Sequence, residues 1–453
     1  MTESMTSGSP IKLILKFSLP LLLGNLLQQM YNMIDAAIVG RVLGADALAG
    51  VGASSSVQFL VLGFCMGICA GFSIPVAKYF GAEQYERLRT CIFNAYLMTG
   101  AFAVLLTIPT ALFCRNILNI MATPANIYDD AYIYLLIIFL GIPFILFYNL
   151  LAGIMRAVGD SRTPFIFLMI SAFLNIFLDI MFIAVIRLGC AGAALATVIA
   201  QAVSGIACFI YIQKKYPLLR LKRQYCKFNF YAIKELFIMG IPMGLQYSIT
   251  AIGSMVMQSA NNGLGSSYVS GFTAASKIKQ LAMCPFDAIA TGVSVFTSQN
   301  LGAGKPERIR KGIFNGVAVG AGYGAVIGLV LIFFGRPLSL MFIKSSETAV
   351  LAASAQYLMC AGFFYWLLGI LNTTRMTIQG LGYSAVAIFS GVIEMIARIA
   401  VSKAFVPKFG FWAICFTDQA AWILATIYCS IVCAVCIRKV SKNHTKLQFN
   451  AAK

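Results

Sequence analysis

Apolar runs of membrane length recur along the chain, at about 17–39, 50–77, 91–114, 131–154, 164–186, 190–212, 236–259, 270–298, 313–334, 351–373, 385–406 and 411–437. Crossing a hydrocarbon core of roughly 30 Å takes about 20 apolar residues as a helix. Helix is the expected form because it satisfies every backbone polar group within one segment. The first run departs from uniform apolarity. In FSLPLLLGNLLQQMYNMIDAAIV, Asn25, Gln28, Asn32 and Asp35 recur at steps of three and four and so share one helix face. A mid-membrane carboxylate costs on the order of 2.5–3.5 kcal/mol, so it is kept where it lines a cavity or finds partners. The stripe predicts a wet cavity; the competing reading is a helix-packing role.

Other spans repeat the pattern. The fifth places Ser171, Asn175 and Asp179 on one face, and the sixth adds Thr197, Gln201 and Ser204. The acidic residues in or beside spans are Asp35, Asp179, Asp287, Glu394 and Asp418. Two carboxylates sharing a desolvated site cannot easily both ionise, so such a pair can take up and release a proton with access from either side. Together with Asn, Thr and backbone oxygens they also make a hard-ligand set for a monovalent cation, and the sequence leaves both readings open. In the second half the position matching Asp35 falls on Val256 or Met257, and the seventh span keeps Gln246, Thr250, Gln258 and Asn261 without an acid. Glu394 and Arg398, four apart, are expected to pair internally as a structural ion pair. Asp287 and Asp418 rank below them.

Composition agrees with the pattern. The 453 residues are 60% hydrophobic and 11% charged, with mean hydropathy +0.85, against about 25% charge in soluble domains. The chain is therefore expected to be an all-α polytopic membrane protein with its first span retained. The net charge of +19 is no nucleic-acid signal, because basic residues crowd alternate loops. Counting Lys277, Lys279 and Lys403 with the adjoining loops although the eighth and eleventh runs include them, Lys and Arg number 23 on one side and 9 on the other, with Arg375 and Arg398 inside spans. The richer side is expected to be cytoplasmic and to carry both termini. Most of the thirteen cysteines lie in apolar spans and the single histidine is His444, so no metal site is expected. Within the spans no nucleophile and base stand together, which argues against an enzyme.

An internal repeat organises the chain. Residues 80–94, FGAEQYERLRTCIFN, match 301–315, LGAGKPERIRKGIFN, at 8 of 15 positions with an offset of 221. These segments are no phosphate loop, since no Gly-Lys-Ser/Thr follows; an ATP-driven pump is not expected. Two copies of a six-span unit imply two pseudo-symmetric six-helix bundles in the same orientation. The expected parts are a cytoplasmic segment 1–16, an N-terminal lobe 17–213, a basic linker 214–235, a C-terminal lobe 236–437 and a basic tail 438–453.

The first-span YNMIDAAIVGRVLG, the RAVGDSRTP turn, the NIFLD of the fifth span and QNLGAGKPERIR with its first-half echo together resemble the multidrug and toxic compound extrusion (MATE) family over essentially the whole chain. The resemblance implies twelve helices and alternating access driven by exchange for H⁺ or Na⁺, with no cofactor. It implies Asp35, Asn175, Asp179 and Thr197 as the coupling-cation site, and Gln28, Tyr31, Asn32 and Gln201 around the substrate cavity. Gln246, Gln258, Glu394 and Arg398 are the second-half candidates. Family branches with carboxylates on spans 7 and 10 are not matched. The expected cargo is an amphipathic, often cationic organic compound, handled in a plasma membrane without nucleic acid or an obligate protein partner. The alternative on the same fold is a flippase for a lipid-linked saccharide or other amphiphile, which would place several Arg or Lys at membrane depth; of these, only Arg375 and Arg398 qualify by sequence.

Overall fold

The computed structural model describes residues 3–121 and 123–451. Met1, Thr2, Ala452 and Lys453, at the ends of the expected terminal segments, lie outside the described residues. Among those described there are helices and no strands. Ten helices are long and apolar enough to cross a membrane, and two bent pairs bring the spans to twelve. In the first half these are Pro10–Val42, Ala45–Gly81, Tyr85–Leu112, the pair Tyr128–Leu140 and Ile142–Ala157, Arg162–Asp179, and Cys190–Lys215. In the second half they are Phe230–Asn262, Ser266–Gly302, Pro306–Ser339, the pair Thr348–Gly362 and Tyr365–Gly380, Ser384–Ala404, and Phe411–Ala451. They are spans 1 to 12 below.

Several helices outrun the apolar stretches that predict them. Span 1 begins at Pro10 rather than near 17, because hydrogen-bonded turns continue through Lys12 and Lys16, which hydropathy excludes, and proline is favoured in a first turn whose N–H has no partner. Spans 4 and 10 bend by 48° and 55°. The first bend falls at Gly141, just ahead of Pro143, which removes a backbone donor.

The repeat is written in the backbone as well as the sequence. Eight of the ten left-handed residues among those described occur in matched pairs, Gly44 with Gly265, Glu83 with Gly304, Gly159 with Gly382, and Gly189 with Gly410, at offsets of 221 to 223; Gly8 and Arg187 have no counterpart. Each pair marks the turn into the next helix. Within the RAVGDSRTP turn, Asp160 accepts hydrogen bonds from the N–H groups of Arg162 and Thr163, at 3.0 Å each, and from the Thr163 hydroxyl at 2.6 Å; the Tyr216 hydroxyl also donates to it. It thereby caps the first turn of span 5. Burial pushes the Asp160 carboxyl up, but the hydrogen bonds from Thr163 and Tyr216 outweigh it and hold the group below the usual carboxylate range.

The contacts divide the chain into two compact units, one of Met1–Ser4 with Leu23–Gly244, the other of Met5–Leu22 with Leu245–Lys453. The repeat divides the sequence at the basic linker, whereas the contact units exchange the beginnings of spans 1 and 7. In the first unit, span 7 begins against span 2. A Cβ on Gly71 would lie 2.5 Å from the Gly240 Cα, and one on Gly67 would lie 2.6 Å from the Met243 carbonyl oxygen. These small residues let two backbones meet, the usual route to tight helix pairs where lipid supplies no hydrophobic drive. Lys78 then pairs with Glu235 at 3.1 Å, and the Tyr79 hydroxyl donates to the same carboxylate at 2.6 Å.

In the second unit the matching positions hold the beginning of the chain. Gly292, the counterpart of Gly71, lies against Ser18 and the Ile14 carbonyl, and the Ser18 hydroxyl donates to the Ala288 carbonyl at 3.0 Å. Gln299 and Asn300, which match Lys78 and Tyr79, hold Met5: its N–H donates to Gln299 at 2.8 Å, and its carbonyl accepts from Asn300 at 3.1 Å. Arg308 adds a second hydrogen bond to the Met5 carbonyl at 3.2 Å. The shared QNLGAGKPERIR signature thus has a structural task, seating the chain ahead of span 1.

A candidate cation site in the first unit

The four residues expected to form the coupling site, Asp35, Asn175, Asp179 and Thr197, all belong to the first unit, on spans 1, 5 and 6. Asp35 lies in the part of span 1 beyond Leu23, twelve residues after the unit's border. Asp179 is fully buried, at 0% exposure, and Asn175 is buried one turn before it. Asp35 and Asp179 are electrostatic neighbours. The Asn175 amide donates to the Thr197 hydroxyl at 3.4 Å, and that hydroxyl is directed to the Ala193 carbonyl one turn back, at 3.2 Å. Span 6 therefore engages the amide of Asn175 and leaves its Oδ1 without a donor.

The site's distinguishing property is its surplus of acceptors. Asp35 Oδ1, Asn175 Oδ1, both carboxylate oxygens of Asp179 and Gln201 Oε1 are buried with no hydrogen-bond partner, as is Ser204 Oγ. A buried acceptor without a donor costs about 1–3 kcal/mol, more for a charged group. Several such oxygens on three packed helices are a poor way to pack a membrane protein, and the neighbouring Asp35 and Asp179 are suited to receive a cation or a proton. One positive charge between Asp35 and Asp179 removes their mutual repulsion and supplies the missing partner, an interaction strengthened by the low local dielectric.

Tyr31 stands near Gln28, one turn before Asp35, within the fields of both Asp35 and Asp179. The first-span stripe is only partly gathered here, since the Asn32 side chain is exposed. Two residues absent from the sequence reading join the site. Tyr134 of span 4, 4% exposed, stands near Gln58 of span 2 and is an electrostatic neighbour of Asp35, Asp179 and Tyr31. A tyrosine in an apolar helix gives no sequence signal of its own; its position beside the acids comes from the packing of span 4. Immediately after Asp179, residues Ile180–Val185 form a π-helical turn. Such turns often accompany functional sites, and this one follows the buried carboxylate directly.

The second-unit candidates are arranged differently. Glu394 and Arg398 do pair, at 3.4 Å, but within a larger network. Arg375 also binds Glu394, Arg398 donates to Asp418 at 2.9 Å, and Lys279 reaches the other Asp418 oxygen at 2.6 Å. The Tyr357 hydroxyl donates to that oxygen too, at 2.6 Å. Lys279, assigned by sequence to a loop, lies within span 8, and Asp418, ranked low by sequence, is the network's centre. Gln246 accepts from Gln379 at 2.6 Å, whereas Gln258 bonds Asn262 one turn along its own helix. The acids of this unit that join the network are paired with cations, in contrast to Asp35 and Asp179.

The MatE family profile matches residues 20–181 and again 242–403, one copy on each half of the repeat. A probable multidrug resistance protein of Bacillus subtilis, YpnP, is 30% identical over 415 residues, covering 90% of both chains. A second from the same organism, YoeA, is 28% identical, covering 84% of this chain and 83% of its own. Among solved structures, an outward-facing multidrug resistance MATE transporter of the MOP superfamily superposes with a TM-score of 0.91 at 21% identity, covering 96% of this chain and 98% of the other. A MATE protein in complex with MaL6 gives 0.90 at 20% identity, covering 97% and 98%. With both halves matched by the family profile and the fold shared along nearly the whole length, the chain belongs to the MATE family of membrane transporters.

Proposed function

We propose that this chain is a secondary active efflux antiporter that expels amphipathic, often cationic, organic compounds in exchange for H⁺ or Na⁺. The observation that carries the reading is the pair Asp35, half-buried with its Oδ1 buried, and Asp179, fully buried, neighbours without cationic partners in the first unit. Charge balance supplies the mechanism. While the pair is empty its repulsion is unrelieved; entry of the coupling ion relieves it and draws span 1 toward span 5. Asp35 lies on the same helix as Pro20, where the lost backbone hydrogen bond permits bending. Ion occupancy and the shape of span 1 are then linked, and substrate leaves as the ion enters.

In this reading both termini face the cytoplasm and the membrane is the plasma membrane, supported by the basic loops on the terminal side. The multidrug resistance names of the Bacillus relatives support the cargo class. The flippase reading gains one cation at membrane depth, Lys279, but Lys279, Arg375 and Arg398 are each tied to Glu394 or Asp418, which leaves none of them an unengaged anion receptor.

Efflux of a fluorescent organic cation from proteoliposomes tests the proposal, with proton and sodium gradients imposed separately. One gradient should drive transport, and Asp35→Asn should abolish it. Transport by neither gradient, or normal transport by the variant, defeats the reading and brings the flippase forward.

A further inference from the structure

We infer that the connection between spans 6 and 7 is a binding surface for anionic phospholipid headgroups. Residues 214–234 carry seven Lys or Arg and no Asp or Glu. The first carboxylate after them, Glu235, is engaged by Lys78 and Tyr79. The charge is therefore not neutralised within its own segment.

The segment is built, not loose. Tyr216 and Leu219 plug into the first unit's core. Asn94 of span 3 grips the backbone on two sides, donating to the Lys227 carbonyl at 3.1 Å and accepting from the Asn229 N–H at 3.1 Å. Arg89 donates to the Leu218 carbonyl at 3.1 Å and lies over the Tyr225 ring. A 3₁₀ turn at Arg223–Tyr225 joins these anchors. With the backbone pinned, Lys222, Arg223 and Lys227 are left exposed.

Aromatic residues complete the surface. Phe228, Phe230 and Tyr231 are 73%, 67% and 83% exposed, at the very start of span 7, where a membrane helix passes the headgroup level. Exposed rings at that depth are placed for the interface, where aromatic side chains are enriched. Free phosphate would satisfy the cations but leave the rings in water, and nucleic acid has no reason to approach a membrane-entry segment. A phospholipid with a net negative headgroup satisfies both halves, its phosphate on Lys222, Arg223 and Lys227 and its glycerol and upper acyl region against the rings.

The test is thermal unfolding of the detergent-purified full chain titrated with phosphatidylglycerol, phosphatidylcholine or inorganic phosphate. Phosphatidylglycerol should raise the melting midpoint saturably; the other two should not. The variant K222Q/R223Q/K227Q should weaken the apparent phosphatidylglycerol affinity by about tenfold or more, and R310Q/K311Q, in a different basic cluster at the start of span 9, should leave it unchanged. If the triple variant fails to fold, F228S/Y231S takes its place with the same expected direction. Equal response to phosphatidylcholine, full reproduction by phosphate, or wild-type affinity in the linker variant that folds overturns the inference.

Discussion

At the scale of single residues, the two units use their acids in opposite ways. Asp418 is held by Lys279, Arg398 and Tyr357, an arrangement whose desolvation cost is repaid only while every partner is present. Replacing it by Asn leaves three cations, Lys279, Arg398 and Arg375, with one carboxylate, Glu394. The expected cost of Asp418→Asn is about 3–5 kcal/mol, read as a lowered melting midpoint in detergent. Adding Lys279→Met should recover part of that loss, because it removes one of the stranded charges. An unchanged midpoint in the single variant would show that the network carries no stability. The first-unit acids were legible in the sequence because a carboxylate in line with amides stands out from an apolar helix. Lys279 was not, since hydropathy places a lysine in a loop unless a partner is known, and its partner is 139 residues away.

At the scale of helices, what sequence showed was number and order, and what it hid was where each helix changes neighbours. Twelve spans follow from length and apolarity alone. That the beginning of span 7 packs on span 2 depends on backbone approach at Gly67, Gly71, Gly240 and Gly244, which hydropathy treats as ordinary small residues. The difference between equivalent glycines makes a test. A methyl group on Gly71 meets the Gly240 backbone, which has no room to yield, whereas one on Gly292 meets the Ser18 hydroxyl at 2.7 Å, a side chain that rotates. Gly71→Ala should therefore cost about 1–3 kcal/mol and Gly292→Ala less, measured by unfolding in detergent. The reverse order would mean that span 7 does not approach span 2 as described. The π-helical turn after Asp179 was equally hidden, because no residue type in IMFIAV announces it.

At the scale of the whole chain, duplication explains the fold and divergence explains the site. Paired left-handed turns and paired seats for spans 1 and 7 survive from one copy to the other, while the Asp35 and Asp179 pair has its place only in the first; the second unit's Asp287 is exposed. A symmetric scaffold thus carries an asymmetric charge pattern, and the central claim is that Asp35 and Asp179 hold the coupling ion that leaves as substrate binds. The direct measurement adds tetraphenylphosphonium to purified protein in weak buffer and records released H⁺ by a pH dye and released Na⁺ by an ion-selective electrode. Wild type should release one of the two ions, and the variant Asp35→Asn/Asp179→Asn should release neither while remaining folded. Release of the same amount by the folded double variant would contradict the account.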